Sequence, residues 1–559
     1  MDIEQKYDLW LNKANGDSDL KPELLKMDAT AKNDAFYRDL AFGTGGLRGK
    51  IGAGTNRMNI YTVAKATQGL SLYIKKHFDE GNRSVAISYD SRIKSDLFAF
   101  TAAKVFAGNG IKVHLYPTLM PVPCLSFATR YYHCSSGVMV TASHNPSIYN
   151  GYKVYGPDGC QITTIAAEEI LNLIESVDPF EDVLSMEEQE AREKGLIEEI
   201  GKDCYDAFVH QVESLSLWGK DIQAKKISIV YTPLHGSGLK PVTRVLDEMG
   251  FKDVHVVKEQ ENPDGNFTTC PYPNPEIVEA MQLGLEEGKR VGADLVMATD
   301  PDCDRIGIAV RNKQGEYPLV TGNELGLLLF QYILERRSEL GTMPNDPVMI
   351  KTIVTTDLAD QIASSHHVKT INVLTGFKFI GEQIALLEKE GKASSFLFGF
   401  EESYGCLAGT YVRDKDAVAA CMLTAEMTAY YLEKGQTLFE VLGGIYARYG
   451  YRSNSLASYE FDGETGFHKM VGIMNEFRTH SPSSFASIPV KAMKDYLPGI
   501  DGLPSSDVIK YFLEDGSTLV LRPSGTEPKI KIYFSIVGKD NQDIKNKKAA
   551  MKEQIERMF

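Results

Sequence analysis

The feature that most constrains the fold is a threefold recurrence of short apolar runs. Each occurrence has three runs, and segments with helical periodicity, such as 95–107 and 241–249, lie between them. Short strands that alternate with helices are typical of mostly parallel sheets with crossover helices. The sequence therefore predicts three similar α/β domains in succession. The runs lie at 85–88, 113–116, 138–140, 227–230, 254–257, 295–297, 348–350, 370–373 and 396–398.

The C-terminal part of the chain follows a different pattern. Apolar runs at 508–513 and 517–521 flank a hairpin turn signal, and another run lies at 530–537. Residues 543–559 have helical periodicity with apolar residues on one side. These features predict an α+β domain. The segment 481–504 is rich in Ser and Pro and predicts an irregular linker.

In each of the three sets, the last apolar run leads into a polar loop. Open α/β sheets bind ligands at the carboxyl ends of their strands, so three similar domains would each contribute one loop to a shared cleft. The expected fold is therefore α/β, with three similar mixed α/β domains plus a C-terminal α+β domain around a central cleft. The expected domain boundaries are 1–215, 216–320, 321–450 and 451–559.

The second of these loops contains three carboxylates, Asp300, Asp302 and Asp304, at alternating positions. Clustered carboxylates repel each other unless a cation joins them. Hard oxygen ligands favour Mg²⁺, which usually acts on phosphates. A metal site is the favoured interpretation, and a solvated acidic turn is the alternative.

The first loop is Ser143-His144-Asn145-Pro146. A serine at a strand end, followed directly by histidine, is typical of a nucleophile or a phosphate carrier. Pro146 keeps the loop extended because it disfavours helical angles at Asn145. The loop lacks the Gly-x-Ser-x-Gly pattern of a nucleophile elbow. Taken alone, an ordinary polar turn with a surface serine is the favoured interpretation.

Two further loops carry groups suited to a sugar phosphate. In one, Glu401 and Ser403 can accept and donate hydrogen bonds to sugar hydroxyls; the alternative is a strand that runs into a helix start, where the dipole favours carboxylates. The other combines an arginine for bidentate phosphate binding with hydroxyls and loop amides, unless it is only a tight turn. Its residues are Arg522, Ser524, Gly525 and Thr526.

The order of these four loops resembles that of the α-D-phosphohexomutase superfamily, and most of all its phosphoglucomutase and phosphopentomutase-like branch. The similarity extends from about residue 41 to about residue 538. The resemblance implies an enzyme that moves phosphate between two hydroxyls of one sugar. The implied reaction interconverts glucose 1-phosphate and glucose 6-phosphate through a phosphoserine at Ser143 and glucose 1,6-bisphosphate. The implied Mg²⁺ ligands are Ser143, Asp300, Asp302 and Asp304.

The resemblance also implies roles around Ser143. Arg48 matches an arginine that faces the serine, and Lys415 matches a lysine near the reacting phosphate. Lys153 matches a lysine near the reaction, and burial beside cations is expected to depress its pKa enough for it to act as the general base. His144 is the rival base, since the ordinary pKa of histidine is close to neutrality.

The remaining implied contacts are with the substrate. Arg305 should contact the phosphate on Ser143, and the C-terminal loop should hold the other phosphate. The bisphosphate must turn over between two half-reactions, which a mobile fourth domain would permit. The implied substrate-binding residues are Arg305, Thr375, Gly376, Lys378, Glu401, Ser403, Arg522, Ser524, Gly525 and Thr526.

Bulk properties argue against several classes of protein. The net charge of −15 over 559 residues argues against nucleic-acid binding, so local Arg and Lys must attract an anionic substrate. The eight cysteines form no C-x-x-C pair, which argues against a zinc site or a disulfide framework. No signal peptide or membrane span is visible in the sequence. A cytoplasmic monomer or dimer is expected, without nucleic-acid or membrane partners.

The sequence leaves other functions open. A metal-dependent phosphatase could use the same serine and metal, but it has little need for a second phosphate loop. A non-catalytic sugar-phosphate binder would be expected to have lost Ser143 or an aspartate, and none is lost. Within the enzyme class, pentose, mannose or glucosamine phosphate could replace glucose phosphate. Glu402 favours glucose-type over mannose-type members but does not separate hexose from pentose.

Overall fold

A computed structural model describes residues 1–43, 45–218, 226–461, 463–524 and 529–559. These residues form four sheets, one in each of four domains, with helices packed around them. Each of the apolar runs that predicted the first three domains overlaps a strand. The predicted α/β class with four domains is confirmed.

The first domain has a seven-stranded sheet. Its strands are β1 (Phe42–Gly43), β2 (Gly46–Lys50), β3 (Ser84–Tyr89), β4 (Lys112–Leu115), β5 (Ser136–Val140), β6 (Tyr149–Tyr155) and β7 (Ile197–Glu199). They lie in the order β1-β2-β6-β5-β3-β4-β7. β3 is parallel to β4 and β5, whereas β6 is antiparallel to β5 and β2. The return of the chain along β6 places Lys153 opposite Met139 of β5, close to the loop that contains Ser143.

The second and third domains repeat this plan. The second sheet contains β8 (Ile229–Thr232), β9 (Val254–Val256), β10 (Leu295–Thr299), β11 (Ile306–Val310) and β12 (Leu319–Val320), in the order β12-β11-β10-β8-β9. The third contains β13 (Val348–Thr352), β14 (Lys369–Val373), β15 (Phe396–Glu401) and β16 (Gly405–Leu407), in the order β14-β13-β15-β16. After each polar loop the chain returns antiparallel, as β11 beside β10 and as β16 beside β15.

The fourth domain has an antiparallel sheet. Its strands are β17 (Arg452–Glu460), β18 (Ser484–Phe485), β19 (Ile488–Asp495), β20 (Ile509–Leu513), β21 (Thr518–Pro523) and β22 (Lys529–Val537), in the order β17-β22-β21-β20-β19-β18. The prediction of an irregular linker over 481–504 is therefore wrong for β18 and β19. Ile488 and Val490 pack against the core of this domain and β19 pairs with β20, so burial of one face outweighs the turn-forming composition.

Helices cover the four sheets. The first domain contains α1 (Ile3–Lys13), α2 (Leu20–Lys26), α3 (Ala29–Phe36), α4 (Ile60–His77), α5 (Ser95–Gly108), α6 (Val122–Tyr131), α7 (Thr164–Glu175), α8 (Glu188–Glu193) and α9 (Lys202–Glu213). The second contains α10 (Leu239–Glu248), α11 (Lys258–Glu261) and α12 (Val278–Val291). The others are α13 (Gly322–Glu339), α14 (Leu358–Ser365), α15 (Phe377–Lys389), α16 (Ala417–Glu433) and α17 (Leu438–Tyr449) in the third domain, and α18 (Gly463–Thr479) and α19 (Asn541–Glu556) in the fourth.

One hydrophobic core joins the first three domains, and the fourth has a core of its own. The helix α16 runs through the shared core and is buried on nearly every side, which explains why it is apolar all round. Among the described residues, no helix has both the length and the apolar character needed to cross a membrane.

Candidate active site

Three polar loops from three domains meet in one cleft. The Oγ of Ser143, after β5, lies 3.0 Å from Oδ2 of Asp300, after β10. The Nζ of Lys415, in the third domain, lies 3.1 Å from Oδ2 of Asp304 and 4.0 Å from Oε1 of Glu401 at the end of β15. The shared cleft expected from the sequence therefore brings the serine, the aspartates and the glutamate together.

The loop after β5 holds Ser143 in an unusual backbone conformation. Its φ angle is 52°, in the left-handed region that most residues avoid. The Ser143 N–H donates to Oγ1 of Thr141 at 2.8 Å, and that hydroxyl donates to Asp90 at 2.6 Å. The backbone is thus tied to β5 in a way that presents Oγ to the carboxylates across the cleft.

Arg92 holds the same loop through hydrogen bonds to its backbone, and the sequence analysis did not identify this residue. Its buried guanidinium donates to the backbone carbonyls of Ser143, Asn145, Pro146 and Tyr149, the last two at 3.0 Å. Asp90 lies 3.4 Å from its Nε. The sequence did hold a signal for Arg92. It lies in a polar segment directly after β3, and polar segments after strands are what identified the other candidate residues.

The three aspartates form a buried cluster. Asp300, Asp302 and Asp304 are each at most 2% exposed, and each offers a ligand oxygen within 4.8 Å of the other two. Oδ1 of Asp300 accepts from the N–H groups of Asp304 and Arg305 at 3.1 and 3.0 Å, which fixes the loop. Burial, Asp302 and Asp304 together raise the pKa of Asp300 well above its usual range.

The donor set of this cluster fits a hard divalent cation. Oδ1 of Asp302 and Oδ1 of Asp304 are buried and have no hydrogen-bond partner among the described residues. Buried carboxylate oxygens without partners are unfavourable unless they coordinate a cation. Asp300, Asp302 and Asp304 can therefore bind a metal ion, and all of their ligand atoms are oxygens, which suits Mg²⁺ or Ca²⁺ better than Zn²⁺.

Two lysines partly neutralise the cluster. Lys153 Nζ lies 2.8 Å from Asp302 and 3.6 Å from Asp304, and Lys415 contacts Asp304 as described above. Burial would lower the pKa of Lys153, but the carboxylates outweigh it and raise that pKa. The expectation of a depressed pKa for Lys153 is wrong for this state, because the neighbouring carboxylates outweigh both burial and the nearby cation Lys415. Burial raises the pKa of Asp302, but Lys153 outweighs it and lowers the value to about 2.

His144 contacts the serine directly. Its Nδ1 lies 3.2 Å from Ser143 Oγ. Burial, Arg305 and Arg48 lower the pKa of His144 to about 2, so the ring is neutral and a weak base. Arg48 Nη1 donates to Oδ1 of Asn145 at 3.3 Å, which places Arg48 beside the serine loop.

Arg305 and the third-domain loops surround the same cleft. Arg305 Nη1 pairs with Glu276 at 2.6 Å, a partner that sequence reasoning did not find. Oε2 of Glu402 accepts from Thr352 and Thr355, both at 3.3 Å. Burial and the neighbouring Glu401 raise the pKa of Glu402 to about 7. Ser403, next in the chain, is half-buried.

The loop before α15 carries the other predicted sugar contacts. Oγ1 of Thr375 is buried and has no hydrogen-bond partner within the described part of the chain. Gly376 caps α15 with a φ of 118°, a conformation that other residues rarely adopt. Burial lowers the pKa of Lys378, which follows in the first turn of the helix.

The fourth domain presents basic residues to the cleft. Arg522 on β21 pairs in register with Lys531 on β22, and the Ser524 N–H donates to the carbonyl of Lys529 at 2.7 Å. Burial, Arg522 and Lys529 lower the pKa of Lys531. Adjacent cations of this kind favour an anionic ligand. Gly525 and Thr526 lie outside the described residues.

Comparisons with known proteins agree with this architecture. Sequence profiles described as phosphoglucomutase/phosphomannomutase, alpha/beta/alpha domains I, II and III match residues 39–180, 206–315 and 321–449, and the C-terminal domain profile matches 484–551. Among solved structures, a putative phosphomannomutase from Thermus thermophilus has a TM-score of 0.70 at 21% identity and covers 93% of this chain and 99% of its own. The phosphoglucomutase pp63/parafusin from Paramecium has a TM-score of 0.71 at 18% identity, with 93% and 95% covered. These two structures show a shared fold.

Sequence relatives are closer. A phosphoglucomutase of Staphylococcus aureus strain MRSA252 is 36% identical over 557 residues, which cover 97% of this chain and 98% of the relative. A phosphoglucomutase of Staphylococcus haemolyticus strain JCSC1435 is 36% identical over 519 residues, with 91% and 92% covered. With all four domain profiles matched in order, the chain belongs to the phosphoglucomutase/phosphomannomutase family.

Proposed function

We propose that the protein is a phosphoglucomutase that interconverts glucose 1-phosphate and glucose 6-phosphate. The observation that carries the proposal is the placement of Ser143 Oγ 3.0 Å from Asp300, within a buried group of carboxylates that fits a divalent cation. A serine in this setting suits the role of a phosphate carrier. The near-full-length relatives named phosphoglucomutase support the choice of sugar.

The proposed reaction has two half-reactions. In the first, phosphorylated Ser143 gives its phosphoryl group to the free hydroxyl of the sugar monophosphate: the P–Oγ bond breaks, a P–O bond to the sugar forms, and the hydroxyl proton passes to a base. The resulting glucose 1,6-bisphosphate turns over. Ser143 Oγ then takes the other phosphoryl group: the P–O bond between that group and the sugar breaks, the P–Oγ bond forms again, the base returns the proton to the freed sugar oxygen, and the product leaves. Mg²⁺ on the serine and aspartate oxygens would supply positive charge that stabilises the transferring group.

We assign the base to Lys153. Burial, Arg305 and Arg48 lower the pKa of His144, so we give it instead the role of orienting Ser143 through their 3.2 Å contact. Lys153 contacts Asp302 and Asp304, the carboxylates that would hold the proposed cation, and a cation bound there would weaken their hold on the lysine proton. Arg48, beside the serine loop, and Lys415, beside Asp304, would stabilise the charge of the phosphoryl group.

Substrate recognition is proposed on three sides of the cleft. Glu401 and Ser403 would bind sugar hydroxyls, and Arg305 would bind the phosphate on the serine side. The loop before α15 would contribute Thr375 and Gly376, and the first turn of that helix would contribute Lys378. The phosphate that is not reacting would be held by Arg522, Ser524, Gly525 and Thr526.

A metal-dependent phosphatase is the competing function. It would release inorganic phosphate, whereas a mutase retains the phosphoryl group on the sugar. The basic pair of Arg522 and Lys531, on a domain other than that of Ser143, favours a substrate with two phosphate positions. Parallel assays of glucose 1-phosphate, ribose 1-phosphate and mannose 1-phosphate, with inorganic phosphate measured in each, separate these functions and sugars.

The decisive variant is Ser143→Ala. We expect mutase turnover to fall by several orders of magnitude with the fold intact, because the phosphate carrier is lost. Peptide mass spectrometry of the unaltered protein should find phosphate on Ser143. Ser147→Ala, in the same loop, is the matched control and should keep turnover close to normal. Near-normal turnover in Ser143→Ala would refute the proposed carrier.

A further inference from the structure

The fourth domain is joined to the third by a very short connection. Only Gly450 and Tyr451 lie between the end of α17 and the start of β17. Gly450 has φ and ψ angles of 100° and 136°, a conformation that residues with a side chain rarely adopt. Two connecting residues do not by themselves fix the relative orientation of two domains, so non-covalent contacts must determine how the fourth domain lies against the third.

A buried ionic cluster spans this boundary. Asp357, at the start of α14, accepts from Lys510 Nζ of β20 at 2.8 Å and from Thr518 Oγ1 of β21 at 3.0 Å. Lys510, only 4% exposed, also donates to the carbonyl of Ile353 at 2.9 Å. On the third-domain side, Lys351 lies 3.5 Å from Asp357. Two cations from different domains thus share one carboxylate.

The charge state of the cluster is fixed by its own members. Burial would raise the pKa of Asp357, but Lys510 and Lys351 outweigh burial and hold that pKa well below its usual range. Asp357 is therefore ionised at neutral pH. Loss of this charge would leave the buried Lys510 without its carboxylate partner, which is strongly unfavourable.

The surrounding contact is apolar and small. Its buried members are Ile353, Val354 and Leu374 from the third domain and Tyr496, Val508, Val520 and Tyr533 from the fourth, and Phe379, Ile500 and Leu503 pack against them. Apolar contacts have little directional preference, so several relative rotations of the two domains would bury similar area. Hydrogen bonds to a buried carboxylate are directional and select one of them.

We propose that Asp357 is a positioning residue that sets the placement of the fourth domain's phosphate loop over the sugar site. Thr518, which Asp357 holds, and Arg522 belong to the same strand, β21. Four residues of strand span roughly 13 Å, so fixing Thr518 against the third domain determines where Arg522 lies relative to Glu401. The inference rests on the proposed function, in which Arg522 binds the phosphate that is not reacting.

The proposal predicts a specific kinetic signature for Asp357→Asn. The KM for glucose 1-phosphate should rise about ten- to a hundredfold, because a displaced loop weakens binding of the distal phosphate. The kcat at saturation should fall much less. Loss of phosphate from Ser143 to water should be unchanged, since that step does not use the distal loop. A purely structural role would instead lower the amount of active protein and leave KM unchanged.

The matched control is Asp360→Asn. Asp360 lies 3.0 Å from Lys351 and accepts from Asn372, so its direct contacts are within the third domain. It should leave KM close to normal. The double variant Asp357→Asn with Lys510→Met also removes the lysine that has lost its partner. It should be more thermally stable than Asp357→Asn alone. Its KM should stay raised, because the directional contacts of the Asp357 carboxylate with the fourth domain are still missing.

Small-angle X-ray scattering of the full chain separates failure of this inference from failure of the proposed function. If the wild type lacks mutase activity but Asp357→Asn alone broadens the interdomain distances, the proposed function is wrong and the positioning role stands. If Asp357→Asn leaves both scattering and KM unchanged, or if the double variant restores a normal KM, the positioning role is refuted.

Discussion

Asp302 shows how one residue can be prepared for a ligand. Its Oδ2 accepts a hydrogen bond from Lys153 Nζ at 2.8 Å, while its Oδ1 is buried without a hydrogen-bond partner in the described part of the protein. The lowered pKa keeps the carboxylate ionised at neutral pH, since Lys153 outweighs the effect of burial. A cation can therefore bind Oδ1 without first displacing a proton or a hydrogen bond.

This state predicts the effect of Asp302→Asn. The amide keeps the shape of the side chain but loses its charge, and a charge-assisted contact contributes roughly 1.5–3 kcal/mol, so Mg²⁺ affinity should fall about tenfold or more. Isothermal titration of Mg²⁺ into the protein without substrate measures this directly. The exposed Asp253, which pairs with His255, gives the control Asp253→Asn with normal affinity.

Mutase activity should vanish with EDTA and return with Mg²⁺; full activity after thorough chelation would refute the metal assignment.

At the scale of elements, each polar loop depends on the antiparallel strand that follows it. Gly405 of β16 pairs with Glu401 of β15. A Cβ at Gly405 would lie 2.0 Å from Cδ of Lys415 and 3.3 Å from Oε1 of Glu401. Because Gly405 has no side chain, the Lys415 side chain can pass close to β16 and reach Asp304.

Gly405→Ala should therefore impair catalysis more than folding. The added methyl group forces the flexible Lys415 side chain away from Asp304, and misplacement of a group near the reacting atoms can reduce rates by about a hundredfold. We expect kcat to fall by roughly ten- to a hundredfold with little change in melting temperature. Gly443→Ala, where a Cβ would meet nothing within 4 Å, is the control. An unaltered kcat would show that Lys415 does not depend on this close approach.

The comparison of sequence and structure is clearest at this scale. Nine strands of the first three domains were predictable because apolar runs with helical segments between them are local signals, whereas the antiparallel return strands β6, β11 and β16 were not predicted. The loops with Ser143 and Asp300 were predictable because their chemistry is concentrated in a few adjacent residues. Arg92 was not, since its role depends on four carbonyls more than fifty residues away. The raised pKa of Lys153 likewise depends on aspartates from another domain.

At the scale of the whole molecule, two kinds of domain contact coexist. The first three domains share one hydrophobic core, which packs the domains that carry the Ser143, Asp300 and Glu401 loops against one another. The fourth domain has its own core and meets the third through a small apolar contact and the Asp357 cluster. The fourth domain is therefore the part best able to move as a unit, which suits the proposed turnover of a bisphosphate in the cleft.

This division predicts opposite kinetic effects for residues on the two sides of the cleft. Arg522, on the fourth domain, would hold the phosphate that does not react, so its contact is present in both ground and transition states. Arg522→Ala should raise KM more than it lowers kcat, and a lost contact of roughly 1.5–3 kcal/mol corresponds to about a ten- to a hundredfold loss in kcat/KM. Lys153→Met should instead lower kcat with little change in KM, because a base acts only on the way to the transition state.

The two variants check each other. Because the distal phosphate also fixes the position of the sugar, some of the Arg522→Ala effect should appear in kcat through misplacement. Lys531→Met, which removes the neighbouring cation on β22, should raise KM in the same direction as Arg522→Ala but by less, since it loses charge without losing a bidentate contact. Steady-state kinetics with glucose 1-phosphate measures all three variants. An unchanged KM in Arg522→Ala would remove the distal-phosphate role, and with it the main structural reason to prefer a mutase over a phosphatase.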